Sequence, residues 1–281
     1  MKMRLRLFLC FFPLWAFAGD MSIENINFAY RVPQNYDENS KILVLFGGRN
    51  WHGGQTLKSY QFDPVADKHR LFLLSPSFKD QDYWQPEQWS GKLLLKAVAE
   101  LENRYRLKPQ KLYFYGYSAG GQCAALFYNY MPERVEAWGV HACGVYPETL
   151  KQVSAPVLIT CGQNDTERFQ ISRNFIYRYR EQGGVLLWKP LSGGHELNAE
   201  ALELARAWFD AILLGVKVAE YGEDDTMQIK KNIDLEFRNP LYSPKIRELW
   251  LKATSKNWKT CLKIASRICM RNLARIWLTP G

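Results

Sequence analysis

The residue of this chain best placed to do chemistry is a serine between a strand-like and a helix-like run. Ser118 lies in Gly116-Tyr117-Ser118-Ala119-Gly120, with Gly121 next. Before it, Lys111-Leu112-Tyr113-Phe114-Tyr115 has the apolar and aromatic make-up of a buried strand. After it, Gln122 to Tyr128 reads as a helix. That context is the one a G-x-S-x-G nucleophile elbow needs. The turn strains the serine backbone, and the small residues two places either side let neighbouring backbone pass close. The hydroxyl is then held clear of the sheet, near the positive end of the helix. A serine hydroxyl is a poor nucleophile at neutral pH. It needs a base, usually histidine, and a carboxylate that orients the base. The chain offers four histidines, His52, His69, His141 and His195.

Two further polar turns follow apolar runs. Ala155-Pro156-Val157-Leu158-Ile159-Thr160-Cys161 is a buried-strand pattern closed by Gly162-Gln163-Asn164-Asp165. Val185-Leu186-Leu187-Trp188 is strand-like and is followed by Leu191-Ser192-Gly193-Gly194-His195-Glu196. Ser118, Asp165 and His195 thus each lie just beyond the C-terminal end of a predicted parallel strand. Open α/β sheets place their sites at that edge.

On these motifs, residues 25–215 resemble the α/β-hydrolase superfamily. Within it they look like the compact lidless branch of dienelactone hydrolases, feruloyl and acetyl esterases and polyhydroxyalkanoate depolymerases. A glycine turn, Phe46-Gly47-Gly48-Arg49, is similar to the oxyanion loop that follows an early strand in that family. Phe46 stands where many members carry histidine. The resemblance implies an α/β-hydrolase fold, a mostly parallel sheet with helices on both faces and no large lid. It also implies the chain order serine, acid, histidine for the triad. Only His195 is C-terminal to both Ser118 and a plausible acid, which makes Ser118 the nucleophile, His195 the base and Asp165 the acid. The rival acids, Glu167 in the first helical turn after Asp165 and Glu196 adjacent to His195, are worse placed. Ala119 supplies one oxyanion amide, and Gly48 or Arg49 the other. No cofactor is implied. His141 falls inside a predicted strand and is expected to be a hydrogen-bonded core residue. His52 is expected to be satisfied by backbone in a loop.

The elements that must position these residues alternate along the chain. Strand-like runs occur near 26–33, 41–47, 70–76, 111–117, 135–142, 155–161 and 184–190. Helical patterns lie near 89–106, 119–131, 166–182 and 196–214, the first with Leu93, Leu94, Val98, Leu101 and Tyr105 at helical spacing. Asp165 and Thr166 are candidate caps for the third. Alternation of this kind predicts a mostly parallel sheet. The stretch Gly144 to Ala155 is too short for an inserted helical lid, so the site is expected to be open. Trp51, Tyr117 and Trp84 are candidate substrate-binding aromatics, able to stack on a sugar ring or a cinnamoyl group. Packing of the loops against the body is the equal alternative.

Composition bounds the rest. A chain of 281 residues with 47% hydrophobic content can bury a full core in one domain. Residues 1–18 read as a secretory signal peptide: Lys2, Arg4 and Arg6, an apolar run from Leu7, and a small-x-small site at Ala16-Phe17-Ala18. The expected location is secreted or periplasmic. Of the net charge of +9, three units belong to that leader and six to residues 221–281. The catalytic body, 19–216, is therefore neutral and gives no reason to expect a nucleic-acid partner. Beyond the leader five cysteines remain, Cys123, Cys143, Cys161, Cys261 and Cys269, and an odd count leaves at least one free thiol. Cys143 and Cys161 end consecutive strands and are candidates for a bridge.

Residues 217–281 fall outside the resemblance. Glu220 to Asp225 reads as an acidic linker, and Asn239-Pro240 and Ser243-Pro244 as helix breakers. From 255 to 278 an apolar stripe with Lys259, Lys263, Arg267, Arg271 and Arg275 at four-residue intervals reads as a basic amphipathic helix. Such a helix suits peripheral contact with an anionic membrane surface. The alternative is a helix packed on the body with a solvated basic face. Together these features predict a secreted serine hydrolase that cleaves small-molecule or polysaccharide esters through an acyl-enzyme. The same machinery would serve a peptidase or an acyltransferase, and the third reading is a binding protein that has kept the fold.

Overall fold

The computed structural model describes residues 18–80, 82–224 and 226–252. Eight strands make one sheet: β1 (Ala18–Ile23), β2 (Ile26–Arg31), β3 (Ile42–Phe46), β4 (Phe72–Pro76), β5 (Leu112–Tyr117), β6 (Val135–His141), β7 (Val157–Gly162) and β8 (Leu186–Leu191). Their spatial order is β1-β2-β4-β3-β5-β6-β7-β8. The strands from β3 to β8 are parallel, while β1 and β2 form an antiparallel hairpin that joins the sheet antiparallel to β4. Every residue of β3, β4, β5, β7 and β8 is buried. Their near-continuous apolar sequences suit that, because a parallel sheet is covered on both faces. The edge strand β1 is mostly exposed and alternates in character.

Six helices surround this sheet: α1 (Gly53–Tyr60), α2 (Asp63–His69), α3 (Ser90–Tyr105), α4 (Ala119–Tyr130), α5 (Thr166–Glu181) and α6 (Ala199–Leu213). The stripe expected of α3 is buried at Leu93, Leu94, Val98 and Leu101. Sequence reading missed β1, α1 and α2. The two helices are short, eight and seven residues, and open on Gly53-Gly54 and Asp63-Pro64, which look like turns. Between β6 and β7 no helix is inserted, and the site edge carries no lid among the described residues.

The expected linker is not one. Glu220–Glu223 is a strand, β9, between β10 (Gln228–Ile229) and β11 (Arg238–Leu241) in a small antiparallel sheet. Asp224 is buried between two arginines of α5, with Arg173 Nη1 at 2.9 Å and Arg180 Nη1 at 2.7 Å. Asn239 Oδ1 accepts the Trp188 amide of β8 at 2.7 Å and Arg180 Nη2 at 2.9 Å. Ser243-Pro244 starts a helix instead of breaking one. Ser243 Oγ caps α7 (Pro244–Leu251) by accepting the Ile246 amide, and proline fits the first turn, where no amide partner is lost. Trp250 Nε1 then donates to the Trp188 carbonyl at 2.8 Å, and Lys189 Nζ donates to the carbonyls of Trp250 and Lys252 at 2.8 and 2.6 Å. The outer backbone of the last sheet strand is thereby satisfied by side chains, which protects an otherwise open edge.

Cys123, Cys143 and Cys161 are all buried free thiols, so the candidate bridge between the last two is not formed. The leader up to residue 17, Cys261, Cys269 and the basic stripe of 255–278 lie outside the described residues.

Candidate active site

Strand β5 delivers Ser118 to the turn, and α4 begins one residue later. Ser118 has φ +56° and ψ −120°, a left-handed conformation that a non-glycine residue adopts only under constraint. Two backbone bonds supply the constraint: Ser118 N–H donates to the His141 carbonyl at 2.9 Å, and Gln122 N–H donates to the Ser118 carbonyl at 3.1 Å. The flanking glycines are required sterically. A Cβ on Gly116 would run into the Gly120 carbonyl, and one on Gly120 into the carbonyls of Phe46 and Gly47. Both obstacles are backbone and cannot swing aside. Gly120→Ala is therefore expected to lower the unfolding midpoint and abolish activity together. A variant with wild-type stability in a denaturant titration would contradict this packing.

Ser118 Oγ lies 2.8 Å from His195 Nε2, and His195 Nδ1 lies 2.7 Å from Asp165 Oδ2. An ionised carboxylate only accepts, so Nδ1 carries the proton and Nε2 turns its lone pair to the serine hydroxyl. Asp165 sits at the start of α5 but caps no amide, because its carboxylate is committed to His195 and to Arg168 Nη1 at 3.2 Å. Backbone bonds tie the two loops together: Gln163 N–H donates to the Leu191 carbonyl and Asn164 N–H to the Gly193 carbonyl, both at 2.9 Å. The acid is buried, Ser118 half-buried and His195 exposed, so a solute can reach the nucleophile and base but not the acid.

The other histidines are engaged elsewhere. His69 Nε2 pairs with Asp210 at 2.6 Å. His52 is exposed at the start of α1, where its carbonyl accepts the Thr56 amide. His141 is fully buried with both ring nitrogens bonded, and burial pushes its pKa down to about 4.

The expected substrate aromatics part company. Tyr117 is only 8% exposed, and its ring is stacked between those of His141 and His195 at 5.7 and 5.4 Å, so it packs the site instead of lining it. Trp51 is half-buried against Tyr60 and Tyr117. Trp84 is half-buried under the Arg49 guanidinium, 5.7 Å from the ring centre. Arg49, Trp84, Asn50 and Asp82 help to line a recess of about 230 Å³ beside the glycine turn. Phe78 and Tyr83 of the aromatic connection are buried, as the packing alternative required.

The glycine turn is held by Trp51 N–H donating to the Gly48 carbonyl at 3.0 Å. Ala119 is the first residue of α4, where amides have no intrahelical partner. Sequence reasoning missed Tyr60. Its buried hydroxyl donates to the Phe46 carbonyl at 2.7 Å and accepts the Tyr117 amide at 3.0 Å, joining the glycine turn to the elbow. It also missed Arg168. A tyrosine 57 residues before the amide it accepts carries no local signal of such a bond, whereas Arg168 lies only three residues after Asp165.

No protein-family model and no curated protein matches the chain. Solved structures do. The poly(3-hydroxybutyrate) depolymerase LpqC from Bordetella parapertussis matches with a TM-score of 0.56 and 17% identity, over 69% of this chain and 90% of its own. A ferulic acid esterase matches with a TM-score of 0.56 and 14% identity, over 70% and 96%. This is the α/β-hydrolase fold. An S-formylglutathione hydrolase from Agrobacterium tumefaciens shares it, with a TM-score of 0.53 and 14% identity over 71% and 92%. The α/β-hydrolase sheet explains why the serine, acid and histidine meet here. Each follows the carboxyl end of a parallel strand, β5, β7 and β8, on the same edge.

Proposed function

We propose that this chain is an exported serine hydrolase of carboxylic esters, acting on short-chain or carbohydrate-linked acyl groups. The observation that carries the reading is the continuous relay from Ser118 Oγ through His195 to Asp165. In this reading Ser118 Oγ attacks the acyl carbon as His195 Nε2 takes its proton. The tetrahedral oxyanion is held by the Ala119 amide and one from Gly48 or Arg49, each donor worth ~3 kcal/mol of barrier. His195 then protonates the leaving alcohol, and an acyl-enzyme remains on Ser118. Water, deprotonated by His195, releases the acid. Asp165 keeps the imidazole in the productive tautomer and stabilises its charge. No step requires a cofactor. The leader places the reaction in the periplasm or outside the cell, and the basic stripe of 255–278 gives it peripheral contact with an anionic membrane surface.

The test is labelling with a fluorophosphonate probe, which reports an activated serine without knowledge of the substrate. The native chain is expected to label and Ser118→Ala to remain unlabelled. A labelled Ser118→Ala protein refutes the assignment. Because the site edge is open, soluble acetyl esters are expected to turn over without lipid or detergent. A covered acyl chain would gain about 0.8 kcal/mol for each buried methylene. A kcat/KM that climbs steadily from acetyl to octanoyl esters would therefore contradict the open site.

A further inference from the structure

His141 is bonded to both halves of the relay's support. Its backbone carbonyl accepts the Ser118 amide at 2.9 Å and so holds the strained elbow. Its ring Nε2 lies 3.0 Å from the carbonyl of Glu196, the residue after His195. A carbonyl only accepts, so Nε2 carries a proton. The ring's Nδ1 lies 2.9 Å from Thr160 Oγ1, and a neutral imidazole protonated on Nε2 takes the single Thr160 hydroxyl proton there in preference to the Val140 carbonyl at 3.3 Å. Between His141 and His195 stands the Tyr117 ring, tilted only 22° from the first and 27° from the second. Tyr117 Oη closes the arrangement by donating to the His195 carbonyl at 3.4 Å. In that loop Ser192, His195 and Glu196 are exposed and Gly193 and Gly194 half-buried.

We propose that His141 is a positioning residue for Ser118 and His195. As a neutral donor from the sheet it clamps the Glu196 carbonyl, and through Tyr117 it sets the plane of the His195 ring. This rests on the triad reading above. Burial pushes the His141 pKa down to about 4, so its ring stays uncharged near neutral pH. Neutrality keeps a second positive charge away from the imidazolium that forms on His195.

The test uses the full chain and a soluble acetyl ester, reading kcat and KM separately beside the unfolding midpoint. His141→Leu removes the donor and is expected to lower kcat on the order of 100-fold with KM within about twofold, since a small misplacement of a catalytic group costs that much. His141→Gln restores an N–H near the position of Nε2 and is expected to recover most of the loss. In a His195→Ala background, His141→Leu is expected to change the residual rate little, because a positioning residue has nothing left to position. Thr160→Val leaves the histidine and its bond to the Glu196 carbonyl in place but removes the hydroxyl that holds Nδ1. A fall in its kcat at unchanged midpoint supports the proposal even if His141→Leu fails to fold. Unchanged kcat in Thr160→Val, or in a folded His141→Leu protein, overturns it. An active Ser118→Ala protein would instead sink the triad reading. The proposal fails alone when Ser118→Ala is inert and His141→Leu is not impaired.

Discussion

Ser118→Ala and His195→Ala are each expected to lower kcat on a soluble ester by on the order of 10⁴-fold or more, and the double variant by no more than either. The two side chains act as one unit. A hydroxyl without its base stays protonated, and a base without its hydroxyl has no nucleophile to activate. The 2.8 Å contact needs no rearrangement before proton transfer. Neither substitution is expected to disturb folding. Ser118 is half-buried and His195 exposed, and among the described contacts each side chain bonds within the relay. Asp165→Asn is the more informative change. The amide keeps the volume but offers a donor where Nδ1–H needs an acceptor, which favours the wrong tautomer and costs up to ~10⁴ in kcat. Arg168 would also lose its charged partner, so Asp165→Asn is expected to cost some stability as well. Steady-state rates with unfolding midpoints check all three. Additive losses in the double variant would show that the two groups do not act in one step.

Ending the chain at Val216 is expected to abolish folding of the hydrolase body, whereas a chain ending after Lys252 keeps every contact described here. The reason is electrostatic as much as apolar. Arg173 and Arg180 are 2% and 1% exposed, and Asp224 is their buried counter-charge. Removing one partner of a buried ion pair costs ~3–5 kcal/mol, because the remaining charge is left without water or partner. Here Arg173 and Arg180 would both lose their carboxylate, Arg173 keeping the Tyr177 hydroxyl and Arg180 the Leu186 carbonyl. The same truncation strips Trp188 of both its amide and carbonyl partners, Asn239 and Trp250, in the strand that leads to the His195 loop. Asp224→Ala isolates the first effect and is expected to cost most of that ion-pair energy in a denaturant titration. A chain ended at Val216 that unfolds at the full-length midpoint would show the C-terminal unit to be dispensable. Any test of the basic stripe beyond it must therefore cut after Lys252, so that a loss of activity is not a loss of fold.

Much of the site was legible because it is written locally. The elbow needs glycines two places either side of a serine, and sterics allow little else at Gly116 and Gly120. The alternation of buried strands and helices puts successive strand ends on one edge, and the resemblance to the α/β-hydrolases implied the order serine, acid, histidine along it. The elbow and the strand-turn patterns at Asp165 and His195 each lie within about a dozen residues. What the tertiary structure alone decided are contacts between residues far apart in sequence. Glu220 to Asp225 has the composition of a solvated linker, yet Asp224 is buried, since its partners lie 51 and 44 residues earlier on one face of α5. Tyr117 has the look of a substrate platform, yet its ring is stacked against His141 of β6 and against His195 in the loop after β8. His141 was readable as a bonded core residue, but not the carbonyl that it holds. Local sequence sets which backbone a segment prefers. Which polar group finds its partner depends on where the sheet brings distant segments together, and burial makes an unpaired group too costly to leave.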